Sequence, residues 1–280
     1  MNNKFLLFGK ILRLLRLRSS KQDGIYVSYS HEIKDKDIES YEKVLLHIRQ
    51  THTYITPEQF FEYLNTNEMP AKKSILMTFD DGFLSSYHAA KNILNKYNIK
   101  AIFFIPTQIL ELKTDEEMEA FTKKNIYFNT IEDKKLGPDE YRYMTREQML
   151  DLVNDGHMIA PHTFSHIWIK EIKEQQAVQR ELIKPREEIE NLIGKKMPIF
   201  AFPVGTERQV SKFAYMNICK EYDYCFTALT GINTFGGNKH KLHRFNLPSE
   251  ATVDYVNMAL DGVYNSYYKY KMRKLSKITG

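Results

Sequence analysis

Short, strongly apolar runs alternate with longer stretches of helical spacing along this chain. GIYVSYSHEI (24–33) alternates β-branched and aromatic residues and predicts a strand ending at His31. Residues 38–50 carry helical periodicity. TPEQFFEYL (56–64) predicts a helix, with Thr56 as N-cap and Pro57 in the first turn. The run Ile75 to Phe79 predicts a buried strand directly before Asp80-Asp81-Gly82, followed by a helix over 85–97 and a strand over 101–106. Residues 111–143 break this rhythm. They are charged and predict an inserted segment, partly helical, near the mouth of a site. The rhythm resumes with a capped helix over 145–156, a short strand over 157–160, and a long charged helix over about 170–193. A strand leads into a turn within 197–207. Beyond it come a helix over 212–221, a strand over 224–228, a turn-rich loop over 231–238, a strand over 242–247 and a helix over 252–268. Strands alternating with helices in this way predict an α/β fold with a parallel sheet, closed as a (β/α) barrel.

At 280 residues the chain is long enough to bury a substantial core. Its two cysteines, Cys219 and Cys225, give no disulfide framework and no structural zinc spacing. The net charge of +5 hides an uneven distribution. Residues 1–21 hold six bases and no acid, and 269–280 hold five bases and no acid. With these set aside, 29 bases face 35 acids, so the body is acidic. That balance argues against a nucleic-acid partner. In the first segment Phe8, Ile11, Leu12 and Leu15 share one helical face, with Lys10 and Arg13 opposite. This predicts a basic amphipathic helix suited to peripheral contact with an anionic membrane. The chain thus divides into a basic segment over 1–22, one domain over 23–268 and a basic tail over 269–280. No secretory signal or transmembrane run is evident, so the expected location is cytoplasmic, on the inner membrane face where it meets the membrane.

Chemistry concentrates at strand ends. Neighbouring Asp80 and Asp81 point in different directions, so one carboxylate can hold a cation while the other faces a water. His162-Thr163-Phe164-Ser165-His166 spaces two imidazoles four apart, which on a helical turn puts both on one side. In a parallel barrel the strand C-termini gather on one face, so Asp81, His162 and His166 converge as a set of two histidines and one carboxylate. Pro203-Val204-Gly205 ends a further strand in a turn that can aim a backbone N–H at an oxyanion. His243 and Arg244 lie on the last strand as candidate proton donor and charge partner, with His240 competing for the first role.

Thr78-Phe79-Asp80-Asp81-Gly82, His162-Thr163-x-Ser165-His166 and Phe200-Ala201-Phe202-Pro203-x-Gly205, in this order, resemble the motifs of the polysaccharide deacetylases, the NodB-homology or carbohydrate esterase 4 group. The resemblance spans about 75–247. It implies a distorted (β/α) barrel and metal-dependent removal of an N-acetyl or other small N-acyl group from an amino sugar in a polysaccharide, oligosaccharide or glycolipid. It gives Asp80 the role of catalytic base and makes Asp81, His162 and His166 ligands of one divalent ion, Zn2+ first among the choices. The motifs depart from the family pattern in places. No arginine stands in the third motif, which leaves Arg244 as the brace for Asp80. Val204 replaces an aromatic residue, Pro161 replaces a small polar one, and the late histidine acid has only His243 as its nearest match. Two other functions fit the same residues: a carbohydrate-binding protein impaired in catalysis, and a metal-dependent amidase acting on a non-sugar C–N bond.

Overall fold

The computed structural model describes residues 24–71 and 73–280. The basic amphipathic segment expected over 1–22 lies outside them. The strands are β1 (Ile25–Ser30), β2 (Thr53–Tyr54), β3 (Ser74–Phe79), β4 (Ala101–Ile105), β5 (Met158–Pro161), β6 (Ile199–Ala201), β7 (Tyr224–Phe226) and β8 (Phe245–Asn246). The main sheet runs β5-β4-β3-β1-β8, with β2 beside the first half of β3, and β6 pairs with β7. Every strand pairing is parallel, so the C-terminal ends gather at one end. The ladder is interrupted between β5 and β6. It is reduced to one bridge, Phe226 to Leu242, between β7 and the approach to β8. This is a distorted (β/α) barrel. At the first gap the Nδ1 of His162, just past β5, donates to the carbonyl of Ala201 on β6 at 2.8 Å, so a side chain spans the seam where a backbone ladder is missing.

The helices are α1 (Ile38–Arg49), α2 (Pro57–Thr66), α3 (84–97), α4 (115–126), α5 (Arg146–Asn154), α6 (175–193), α7 (Lys212–Glu221), α8 (Val253–Leu260) and α9 (Asn265–Thr279). Thr56 and Thr145 each form reciprocal caps with a glutamine three residues on, and these caps fix the starts of α2 and α5. The sheet and its covering helices bury one large apolar core. A second cluster, including Leu182, Phe200, Ile218 and Leu275, joins α6, α7 and α9.

Several expected elements differ. The helix expected from 170 begins at Gln175, because Ile169 and Ile172 are buried and hold the preceding chain in a tight turn. The last strand shrinks to Phe245–Asn246. The final helix breaks at Gly262, whose φ of 65° ends α8, and α9 follows. Residues 269–280, expected as a tail, are almost wholly helical, and Leu275 buries against the second cluster.

Candidate metal centre

The chain leaves β3 through Asp80 and then turns sharply. Asp81 has φ 71° and Gly82 φ 73°. A side chain at Gly82 would meet Ile109 at 2.8 Å, so the position combines a left-handed backbone with a close approach. The turn sends the two carboxylates apart. Asp80 faces Arg244, and Asp81 faces the histidines.

His162 and His166 do converge, but not on a helical turn. Residues 162–168 form an irregular loop in which Thr163 (φ 63°) and His166 (φ 56°) are left-handed. The loop is held from two sides at Ser165. The buried Glu181 carboxylate accepts from the Ser165 N–H and hydroxyl at 3.0 Å, and the Asn125 amide donates to the Ser165 carbonyl at 2.8 Å. His166 Nδ1 donates to the Asn125 carbonyl at 2.8 Å. Because both Nδ1 atoms bond to carbonyls, they carry the protons, and each Nε2 presents a lone pair.

Those lone pairs face Asp81. Its Oδ1 lies 3.3 Å from His166 Nε2 and 3.7 Å from His162 Nε2, and the three ligand atoms fall within 4.8 Å of one another. Asp81 Oδ1 is buried and accepts no hydrogen bond. Burial lowers the pKa of His162 to about 3 and of His166 to about 4, so both rings are neutral near pH 7. Burial raises the Asp81 carboxyl to about 7, against the opposing charge of His31 and with that of Asp80. Two imidazole lone pairs turned toward a buried carboxylate oxygen that accepts no hydrogen bond are a poor arrangement alone. They fit a divalent cation, which would satisfy the orphaned oxygen and reverse the cost of ionising Asp81.

Asp80 has the opposite environment. Burial pushes its carboxyl up, but the charge and hydrogen bonds of Arg244 outweigh this and hold it below its ordinary value. Arg244 is 1% exposed and grips Asp80 with two bonds of 2.6 and 2.9 Å. It also donates to the Thr227 carbonyl and the Thr78 hydroxyl, and its guanidinium lies over the rings of Tyr29 and Phe104.

Other expected site residues sit elsewhere. His243 does not reach the cleft. It and Arg244 precede β8 and face different partners. With Arg244 turned inward, His243 bonds through Nδ1 to the Leu229 carbonyl and packs on Gly231. His240 bonds to the Tyr222 carbonyl and is also absent from the cleft. Of Pro203, Val204 and Gly205, only Val204 lines the cleft, at φ 60°. Pro203 and Gly205 shape the turn behind it. The cleft, about 420 Å3, instead receives His31 from the end of β1, with Nε2 4.0 Å from Asp81 Oδ2. It also receives Ile126 and Tyr127 from the inserted segment, which does border the site. His31 was signalled by its place at a strand end. Asn125 and Glu181 carried no sequence signal, since their contacts join distant parts of the chain.

The comparisons with known proteins agree with this picture. A family model described as polysaccharide deacetylase matches residues 67–222. YxkH of Bacillus subtilis, whose name assigns it provisionally to the polysaccharide deacetylases, is 26% identical over 151 residues, 54% of this chain and 44% of that protein. The chain spans less than half the length of the curated relatives it matches. Two solved structures share the fold. The deacetylase PplD of Streptococcus pyogenes, solved with acetate, has a TM-score of 0.65 at 17% identity, covering 85% of this chain and 97% of that one. IcaB from Ammonifex degensii has a TM-score of 0.66 at 19% identity, covering 85% and 98%. With the family match running over more than half the chain and through both the Asp80-Asp81 and His162–His166 segments, this chain belongs to the polysaccharide deacetylase family.

Proposed function

We propose that the protein hydrolyses an N-acetyl or other small N-acyl group from an amino sugar in a glycan or glycolipid. The observation that carries this is the grouping of Asp81, His162 and His166 in one cleft with the separately anchored carboxylate of Asp80. A divalent cation bound there would polarise the acyl oxygen and lower the pKa of a bound water. The two-imidazole, one-carboxylate donor set favours Zn2+. Asp80, kept ionised and oriented by Arg244, accepts the proton of the attacking water. The backbone N–H of Val204, aimed by the left-handed turn after β6, donates to the developing oxyanion. His31, rather than His243, stands at the cleft and gives the proton to the leaving amine.

The basic chain ends support a further part of the reading: a membrane-proximal, lipid-linked saccharide as substrate, met on an anionic inner surface. In α9 the charges Lys271 and Lys274 lie over exposed tyrosine rings, a pattern suited to a membrane interface. No described helix is long and apolar enough to cross a membrane.

The test is metal content and acetate release, measured side by side for the native protein, His162→Ala and Asp80→Asn. About one ion per chain is expected in the native protein and in Asp80→Asn, and none in His162→Ala. Asp80→Asn should lose roughly 10²–10⁴-fold in turnover. Near-normal turnover in Asp80→Asn, or no ion in the native protein after reconstitution, would overturn the reading.

A further inference from the structure

The third motif offers the cleft an aliphatic side chain, Val204, where a flat ring would serve a sugar. Three aromatic residues line the cleft: Tyr29, Phe202 and Tyr127. Tyr29 is covered by the Arg244 guanidinium at 4.9 Å and meets the edge of His31. Phe202 is 1% exposed and packed against Phe200. Tyr127 is the one whose partly exposed ring is free of such cover, and it comes from the inserted segment.

That segment fixes the backbone that carries the ring. Its last helical turn is widened, so the Tyr127 N–H reaches back five residues to the Thr122 carbonyl at 3.0 Å. The Tyr127 carbonyl accepts from the N–H of Thr130 at 2.9 Å and from its hydroxyl at 2.6 Å. The next two residues, Phe128 and Asn129, are left-handed, with φ of 49° and 58°. Phe128 packs on His166 and Trp168, and Asn125 bonds both His166 and Ser165. The strain is therefore offset by contacts that fix Tyr127 relative to a metal ligand. Across from it stands Glu32, also in the cleft wall. The Tyr127 hydroxyl lies 3.4 Å from Glu32 Oε1, a long bond, and the nearest cation to Glu32 is Lys34 at 3.6 Å.

We infer that Tyr127 and Glu32 form a pyranose-binding subsite beside the metal centre, which the inserted segment supplies in place of a third-motif aromatic. A pyranose has an apolar C–H face and a rim of hydroxyls. The Tyr127 ring stacks on that face, while the Glu32 carboxylate at its edge accepts from a hydroxyl on the rim of the same sugar. The stretched Tyr127–Glu32 contact leaves that carboxylate with bonding capacity for such a guest. This rests on the deacetylase reading above, and it assigns recognition of the sugar to residues outside the three motifs.

The test is steady-state acetate release from β-1,4- and β-1,6-linked N-acetylglucosamine oligomers by the metal-loaded protein, with metal content measured for every variant. The variants are Tyr127→Ala, Tyr127→Leu and Tyr127→Trp. Tyr127→Ala and Tyr127→Leu should raise KM roughly tenfold while metal content stays at the native level, and Tyr127→Trp should stay within about twofold of native. A native KM in Tyr127→Leu, or a fall in kcat alone, would overturn the subsite. A small N-acyl amide and a small acyl ester, run on the native protein, separate the two readings. Acetate from these but from none of the oligomers overturns the sugar subsite and leaves the hydrolase standing. Acetate from none of the substrates removes the hydrolase reading, and the subsite with it.

Discussion

Replacing Arg244 by methionine tests the electrostatic logic of the site. The side chain is 1% exposed, and its partner Asp80 is 5% exposed. Methionine keeps much of the apolar packing against Tyr29 and Phe104 but removes both bonds to the carboxylate. His162 Nε2, 3.9 Å from Asp80 Oδ2, presents a lone pair and cannot substitute. A buried, ionisable carboxyl left without a partner costs about 3–5 kcal/mol. That is a large part of the roughly 5–15 kcal/mol that holds a domain together. For a chain of this size the loss corresponds to a fall of roughly 10 °C in thermal midpoint. Thermal unfolding followed by circular dichroism, at fixed metal concentration, reads it directly. The double variant Asp80→Asn/Arg244→Met supplies the control. With no carboxyl to ionise, it should recover at least about 1 kcal/mol relative to Arg244→Met alone. A single variant melting within about 2 °C of native, or a double variant no more stable than the single, would refute the reasoning.

In the metal-free protein Asp81 carries a carboxyl raised to about 7, so the folded state binds its proton more tightly than the unfolded chain. Its contribution is therefore present below the ordinary carboxylate range and lost as pH climbs to about 7. Urea midpoints of the chelated protein should fall across that window and be restored by a divalent ion, and a flat profile would contradict the assignment. Glu181→Ala strips the Ser165 N–H and hydroxyl of their acceptor. The loosened histidine loop should weaken metal binding roughly 10–100-fold in competition with a chelator, and native affinity would show that Glu181 does not orient the ligands. Val204→Gly should raise the melting temperature, since a β-branched residue at φ 60° gives up about 1 kcal/mol of strain there. A lower midpoint would mean that the turn is unstrained.

The parts of the site legible in the sequence share one property: each is written within a few residues. The apolar run before Asp80-Asp81-Gly82 and the His162–His166 spacing at another strand end need only a parallel sheet to meet. Alternation of short apolar runs and helical stretches already demanded such a sheet. The local shape of 162–166 was not legible. Spacing of four suggested a helical turn, but the left-handed Thr163 and His166 are held by Glu181 and Asn125, from segments far away in sequence. The choice between His243 and Arg244 was equally closed to inspection. Alternation says only that one of them faces in; both precede the two-residue β8, and the distant partners they meet, Asp80 for Arg244 and the Leu229 carbonyl for His243, decide which.

By itself, then, the sequence determined the α/β class, the family and the three atoms fit to hold a cation, because these follow from periodicity and from short motifs at strand ends. The tertiary structure alone decided that Arg244 braces Asp80, that His31 rather than His243 reaches the cleft, and that the inserted segment brings Tyr127 to the metal ligands. Those outcomes depend on where separate segments pack in three dimensions. No local pattern encodes a contact between residue 31 and residue 81, or between residue 125 and residue 166; the closed barrel and the loops pinned across its end create them.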